Sequence, residues 1–417
     1  MTAHDDDLEQ AGSDSKSADV ATNAPSTDNT QILLAEVAGT NSTMAQAVVI
    51  PVLAVFTALI AGAIVLVLTD PELWDIFGTA EWFSASWDQI SGAYGALFRG
   101  SFGSTRAISE TLVAASPVIL AGLSVAVGFR AGLFNIGGEG QVLIGGMFAI
   151  FVGITFTSIP FPILAVLGLF GGILGGAIWG GFAGFLKART GAHEVITTIM
   201  LNFIASFLVL WLLKTDAFRV PDRNDPVSQT IDEGAQLPRL LSFIDPQLRV
   251  HAGIIVALLA AWFVHWLLFK STIGFQFRAV GSNPDAARYG GMRVNALYVM
   301  VMAVAGGLAG LAGSDTIQGV LHRGTQGFSA NIGFDAIGLA LLGRSHPVGV
   351  VLAGILFGAL RAGGREMQAT EFIPIDLVSI IQALVIVFIA APALIRGLYR
   401  LKGEDEGPAQ LTKGWGA

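Results

Sequence analysis

The chain has no cysteine among its 417 residues. Disulfides, thiolate metal sites and a cysteine nucleophile are excluded together, while the redox compartment stays open. Charge is also scarce: Asp, Glu, Lys and Arg make up 13% of the residues, against roughly 25% in an average soluble chain. The dipeptide Gly-Lys occurs nowhere, so no phosphate loop ending in Gly-Lys-Ser/Thr is present and nucleotide hydrolysis must come from elsewhere. His193-Glu194 opens like a zinc-protease helix, but Thr197 follows where a second histidine is needed on the same face. A Gly-x-Ser-x-Gly elbow is missing too, which removes motif support for a serine hydrolase. The six histidines are scattered and assemble no cluster with Asp or Glu, as a membrane-embedded enzyme would require.

What is present is apolar. Hydrophobic residues reach 53%, more than a soluble surface tolerates, so lipid is the expected solvent. The 52 glycines sit among Leu, Ile, Val and Phe rather than Ser, Pro and Gln, as in transmembrane helices that approach closely. The net charge of -8 is largely local: residues 1–45 hold eight acids against Lys16 alone. That acidic, Ser/Thr/Asn-rich head lacks the order of a secretory signal and reads as a disordered tail.

A hydrocarbon core of about 30 Å takes about 20 apolar residues in a helix. That ruler predicts spans near 46–68, 109–129, 138–157, 161–186, 193–213, 251–269, 295–313 and 376–395. The stretch 332–361 resolves into two shorter legs broken by Gly343-Arg344-Ser345-His346-Pro347, too short for ordinary spans and so re-entrant or enclosed by protein. The expectation is an all-α polytopic bundle of about 10 membrane segments, a membrane domain over 46–400 with tails at 1–45 and 401–417. An even count places both termini on one side. The basic segments after 186, within 270–294, at 344 and after 395 share that side, which is read as cytoplasmic, leaving 214–250 as an outer loop.

Two polar interruptions stand out. The first, 128–141, is a Gly-rich break carrying Asn135, Glu139 and Gln141. Unwound backbone at membrane depth survives only where protein or a wet path satisfies it, so these side chains are candidates for a translocation path; a surface loop is the competing reading. The second, 270–294, reads as a short capped helix: Ser282 or Asn283 caps, Pro284 fits the first turn, Asp285 suits the positive end and Gly290 terminates. It either docks on a soluble partner or merely connects spans. Asp335 lies inside a short apolar leg or at its start, and an unpaired carboxylate in a span costs at least ~2.5 kcal/mol. Asn202, within a continuous span, bonds either a solute hydroxyl or a neighbouring helix. Glu110, His265 and the tryptophans at 82, 87, 211, 262 and 266 read as interfacial.

The runs Gly132-Leu133-Phe134-Asn135-Ile136-Gly137-Gly138-Glu139-Gly140-Gln141, 278–290, and Ile332-Gly333-Phe334-Asp335-Ala336-Ile337 through Leu341-Leu342-Gly343-Arg344 closely resemble the permease family of bacterial ABC importers for ribose, branched-chain amino acids and nucleosides. The likeness is nearest to the nucleoside and simple-sugar branch. It implies that Ser282, Asn283, Pro284, Asp285, Ala286, Ala287, Arg288, Tyr289 and Gly290 form the coupling helix that enters the ATPase subunit. It further implies a bacterial plasma-membrane complex of two permease chains, in this branch often unlike, with an ABC ATPase whose halves are often fused and an external solute-binding protein. ATP and Mg are then used by the partner ATPase, no cofactor is bound by this chain, and no nucleic-acid partner is expected. An ion-coupled secondary transporter is the rival, needing a buried charged relay for which the sequence offers little beyond Glu139 and Asp335.

Overall fold

A computed structural model describes residues 49–223 and 225–400; the acidic head 1–45 and the tail 401–417 lie outside the described residues. The described part is helical, and its extended segments form only isolated bridges, such as Arg219 with Ser228 and Arg239 with His251. The helices are α1 (Val49–Thr69), α2 (Pro71–Asp75), α3 (Ala80–Phe102), α4 (Thr105–Arg130), α5 (Gly138–Thr155), α6 (Ile163–Thr190), α7 (Glu194–Leu212), α8 (Gly253–Lys270), α9 (Thr272–Ser282), α10 (Pro284–Tyr289), α11 (Val294–Thr316), α12 (Ile332–Leu342), α13 (Pro347–Glu371), α14 (Ile375–Ala390) and α15 (Pro392–Tyr399). A π-turn, Ile317–Leu321, prolongs α11. Among the described residues eight helices are long and apolar enough to cross a membrane, and α12 and α14 are shorter apolar ones, so the chain is a multi-pass membrane protein.

Two elements differ from the sequence expectation. The second leg of 332–361 does not stop at 361: α13 runs on to Glu371. Its charged half is tolerated because Arg361 pairs with Asp335, Arg365 with Glu110, and Glu371 with Arg99. The 270–294 segment holds two helices rather than one, since Ser271 caps α9 through Gly274 N. A further helix, α3, was not foreseen; its Glu81, Asp88 and Arg99 interrupt the apolar pattern that a span shows, and it packs Ala93, Ala96 and Gly100 inward, the last against Gly363 of α13.

The core forms around α4, the most enclosed of the long helices, which packs against α8, α11, α12 and α13. Beside it α11 lies against α5 and α6 with almost no space between backbones. A Cβ at Gly310 would sit 2.1 Å from the Gly172 carbonyl oxygen, and one at Gly176 would sit 2.1 Å from that of Gly306. Small residues permit this contact, and dispersion between backbones replaces the hydrophobic drive that lipid removes. The 214–250 segment returns to the bundle rather than hanging free: Asp232 N donates to Gly153 O and Leu237 N to Gln318 O, with Phe218, Ile231 and Ala235 buried.

Candidate functional site

The break between α4 and α5 is a buried knot. Gly132 adopts φ +69, and a Cβ there would meet Gly281 Cα at 2.9 Å, so both conformation and close approach require glycine. Asn135 Nδ2 donates to Gln141 Oε1 at 3.0 Å and Gln141 Nε2 donates back to Asn135 Oδ1 at 3.1 Å, while Gly137 N–H also reaches Oδ1. From α7, Asn202 donates to Ile136 O and accepts from Gly140 N–H. Three amide side chains thus satisfy the unwound backbone that lipid would leave unpaired. Both Asn135 and Gln141 are 1% exposed; their amides hold each other and the break, and neither is among the residues lining the two cavities that Glu139 and Asp335 reach. The chain around them is equally no surface loop.

Glu139 faces the other way. One carboxylate oxygen accepts from the Ser329 hydroxyl and the other from Gly333 N–H at 2.9 Å, fastening the segment before α12, where Ala330 and Asn331 are left-handed at φ 46 and 62. Glu139 and Asn202 line a cavity of about 410 Å³ with Phe203, Ser206, Asn331 and Phe334. Asp335, in the first turn of α12, pairs with Arg361 and lines a second cavity of about 580 Å³ with Arg249, Arg365 and Gln382. Ala330 and Asn331 line both cavities, so the structure places Glu139, Asn202 and Asp335 on the two sides of one short polar wall. None of the tryptophans is among the lining residues.

Sequence reasoning missed the charges that complete this region. Arg249 of the 214–250 segment and Arg365 of α13 both reach Glu110, at 3.3 and 3.2 Å, so Glu110, near the start of α4, is a shared anion. Behind them Asp315, fully buried, accepts from Ser116 Oγ at 2.6 Å and lies 3.7 Å from His251 Nδ1. Burial, then His322, Arg249 and Arg239, push the His251 imidazole down to about 4. The signal for Asp315 was its place in Gly313-Ser314-Asp315-Thr316 at the end of an apolar run, which the hydropathy ruler cut at 313.

At the far end of the bundle, α10 is built as its sequence suggests. Asn283 Oδ1 accepts from Asp285 N and Ala286 N at 3.0 Å each, Pro284 opens the helix, Gly290 follows its last residue, and the left-handed turn falls on Gly291 at φ +82. Ala287 is buried, Asp285 and Arg288 pair at 2.8 Å in the open, and Tyr289 is 97% exposed.

A multi-pass bundle with half-open, largely apolar cavities edged by a few charged and amide side chains and an exposed capped helix has the parts of a transport subunit. Residues 107–390 match the family described as the permease component of branched-chain amino acid transport systems, and the chain belongs to that family of ABC permeases, whose ATPase is a separate subunit. It is 37% identical to the guanosine ABC transporter permease NupP of Bacillus subtilis (strain 168), covering 85% of this chain and 97% of that one. It is 34% identical to the glucose permease TsgB13 of Haloferax volcanii over 87% and 93%, and 33% identical to the nucleoside permease NupB of Lactococcus lactis subsp. cremoris (strain MG1363) over 84% and 92%. A further guanosine permease of the same Bacillus strain, NupQ, is 26% identical over 60% and 79%. No solved structure matches the chain significantly.

Proposed function

We propose that this chain is the permease of an ATP-driven nucleoside importer, with Glu139, Asn202 and Asp335 on the solute path. The observation that carries the reading is the smaller cavity, in which two phenylalanine rings, Phe203 and Phe334, stand beside Glu139, Ser206 and Asn331. Flat apolar faces suit a nucleobase, and a few convergent polar groups suit ribose hydroxyls; about 410 Å³ lies within the usual range for small-ligand sites. The likeness to nucleoside permeases over nearly the whole chain supports the same solute class. Asn135 and Gln141 serve the path indirectly, by holding its floor.

The assembly follows from the same reading. The 270–294 segment faces the cytoplasm and α10 enters the ATPase, whose ATP and Mg this chain does not bind. The 214–250 loop meets an external solute-binding protein. The second permease is an unlike chain, because this one is far closer to NupP than to NupQ of the same strain. Glucose import is the alternative, on the likeness to TsgB13. Uptake of labelled guanosine into cells carrying or lacking this chain, with unlabelled adenosine, ribose and glucose as competitors, separates them. Guanosine uptake reduced by adenosine but not by ribose or glucose supports nucleosides; no guanosine uptake, with labelled glucose taken up in its place, overturns the reading.

A further inference from the structure

The α10 end of the bundle holds a group of cations, Arg130, Lys270, Arg278 and Arg344, none of which forms an ion pair among the described residues. Arg130 ends α4, and its Nε donates to Ser345 O at 2.9 Å, with a second nitrogen 3.3 Å from Arg344 O. Arg344 and Ser345 are both left-handed, at φ 52 and 50, a costly turn that aims two successive carbonyls at the one guanidinium. The Phe269 ring carries Arg130 and Arg278 each at 5.5 Å from its centroid, and His346 and His265 pack on it and on each other. Lys270 and Arg344 are exposed at the rim.

No acid occurs in 111–138, 251–284 or 336–365, the stretches that supply all these groups. Asp285, which follows 284 directly, is engaged by Arg288, and Glu194 at the start of α7 by Lys187. The Nε of Arg278 and the Nδ1 of His265 are buried without a hydrogen-bond partner. The His346 imidazole is held below its ordinary value by burial, then by Arg130 and His265. Two half-buried guanidiniums on one ring repel each other, and an unpaired buried donor costs its desolvation; an anion with several acceptor oxygens resolves both.

We propose that Arg130 and Arg278, with Lys270 and Arg344 at the rim, bind the phosphate of an anionic phospholipid at the α10 face of the membrane. Arginine forks fit phosphate oxygens two at a time, and basic pockets at helix ends on the cytoplasmic side are suited to anionic head groups. The flanking surface fits acyl chains: Trp262 and Trp266 of α8, Phe275 of α9, and Val348 and Leu352 of α13 are 47–68% exposed. The bound lipid bridges α4, α8, α9 and the turn before α13, four elements whose ends otherwise meet charge against charge. The assignment to the inner leaflet rests on the orientation proposed above; the binding itself does not.

The test is thermal melting and native mass spectrometry of the purified, detergent-solubilised full chain, titrated with phosphatidylglycerol, phosphatidylcholine or inorganic phosphate. Phosphatidylglycerol is expected to raise the melting temperature by about 3 °C or more at a hundredfold excess over its dissociation constant and to remain as bound mass, while phosphatidylcholine does neither. Arg278→Gln, at a side chain whose buried Nε has no hydrogen-bond partner, should lose most of that shift. Arg189→Gln, an exposed cation ending α6, should keep it. Equal shifts from both lipids, or an undiminished shift in Arg278→Gln, overturns the site. An equal shift from inorganic phosphate overturns the lipid assignment, and loss of the co-purified ATPase in Arg278→Gln with lipid shifts unchanged assigns the cluster to the ATPase instead. None of these readouts depends on which leaflet the site faces, so a wrong orientation fails separately.

Discussion

At the scale of the residue, two neighbours in one motif do opposite work. Asn135 satisfies backbone and a partner amide inside the protein, whereas Glu139 presents a carboxylate to a cavity wall. Asn135→Ala should therefore act through stability: leaving Gln141 and Gly137 N–H unpaired costs about 1–3 kcal/mol, read as a lower melting temperature with uptake falling only as far as folded protein does. Glu139→Gln keeps the shape and should leave expression near normal, while uptake per folded molecule drops roughly tenfold, the worth of a charge-assisted bond. Full uptake per molecule in Glu139→Gln would remove it from the path. The sequence made these residues visible as a polar break but did not sort them, because sorting needs α7 and the 327–333 segment, which supply Asn202 and Ser329 from far along the chain.

At the scale of the element, what was legible depended on whether a helix solves its own problem. Spans such as α4, α6 and α8 carry charge only near their ends and were read within a few residues. The outer half of α13 was cut short because Arg361, Arg365 and Glu371 looked like an ending, and only their partners Asp335, Glu110 and Arg99 make them an interior. Among the short helices α10 was legible, since its cap, opening proline and terminal glycines are all local. That locality yields a prediction. The Asp285–Arg288 pair is exposed, and such pairs contribute about 1 kcal/mol or less, so changing both to alanine should leave melting almost unmoved. If α10 enters the ATPase, the same variant loses co-purified ATPase and solute-stimulated hydrolysis; retention of both would assign α10 to the role of connector.

At the scale of the whole molecule, the outstanding inference is which end of the bundle faces which compartment, and the absence of cysteine makes it directly measurable. Tyr289 on α10 and Phe243 in the outer-loop segment are 97% and 81% exposed, so a cysteine at either position is open to a reagent without disturbing packing. The weak charge asymmetry of the short loops favours α10 inside, and the basic cluster around Arg130 and Arg278 agrees, because anionic surface potential is strongest on the cytoplasmic leaflet. On intact cells a membrane-impermeant maleimide should label Phe243→Cys at once and Tyr289→Cys only after the membrane is opened. The reverse pattern would place α10 outside, where no ATPase can reach it, and would overturn the coupling role together with the inner-leaflet assignment of the lipid while leaving the cavities and their solute chemistry untouched.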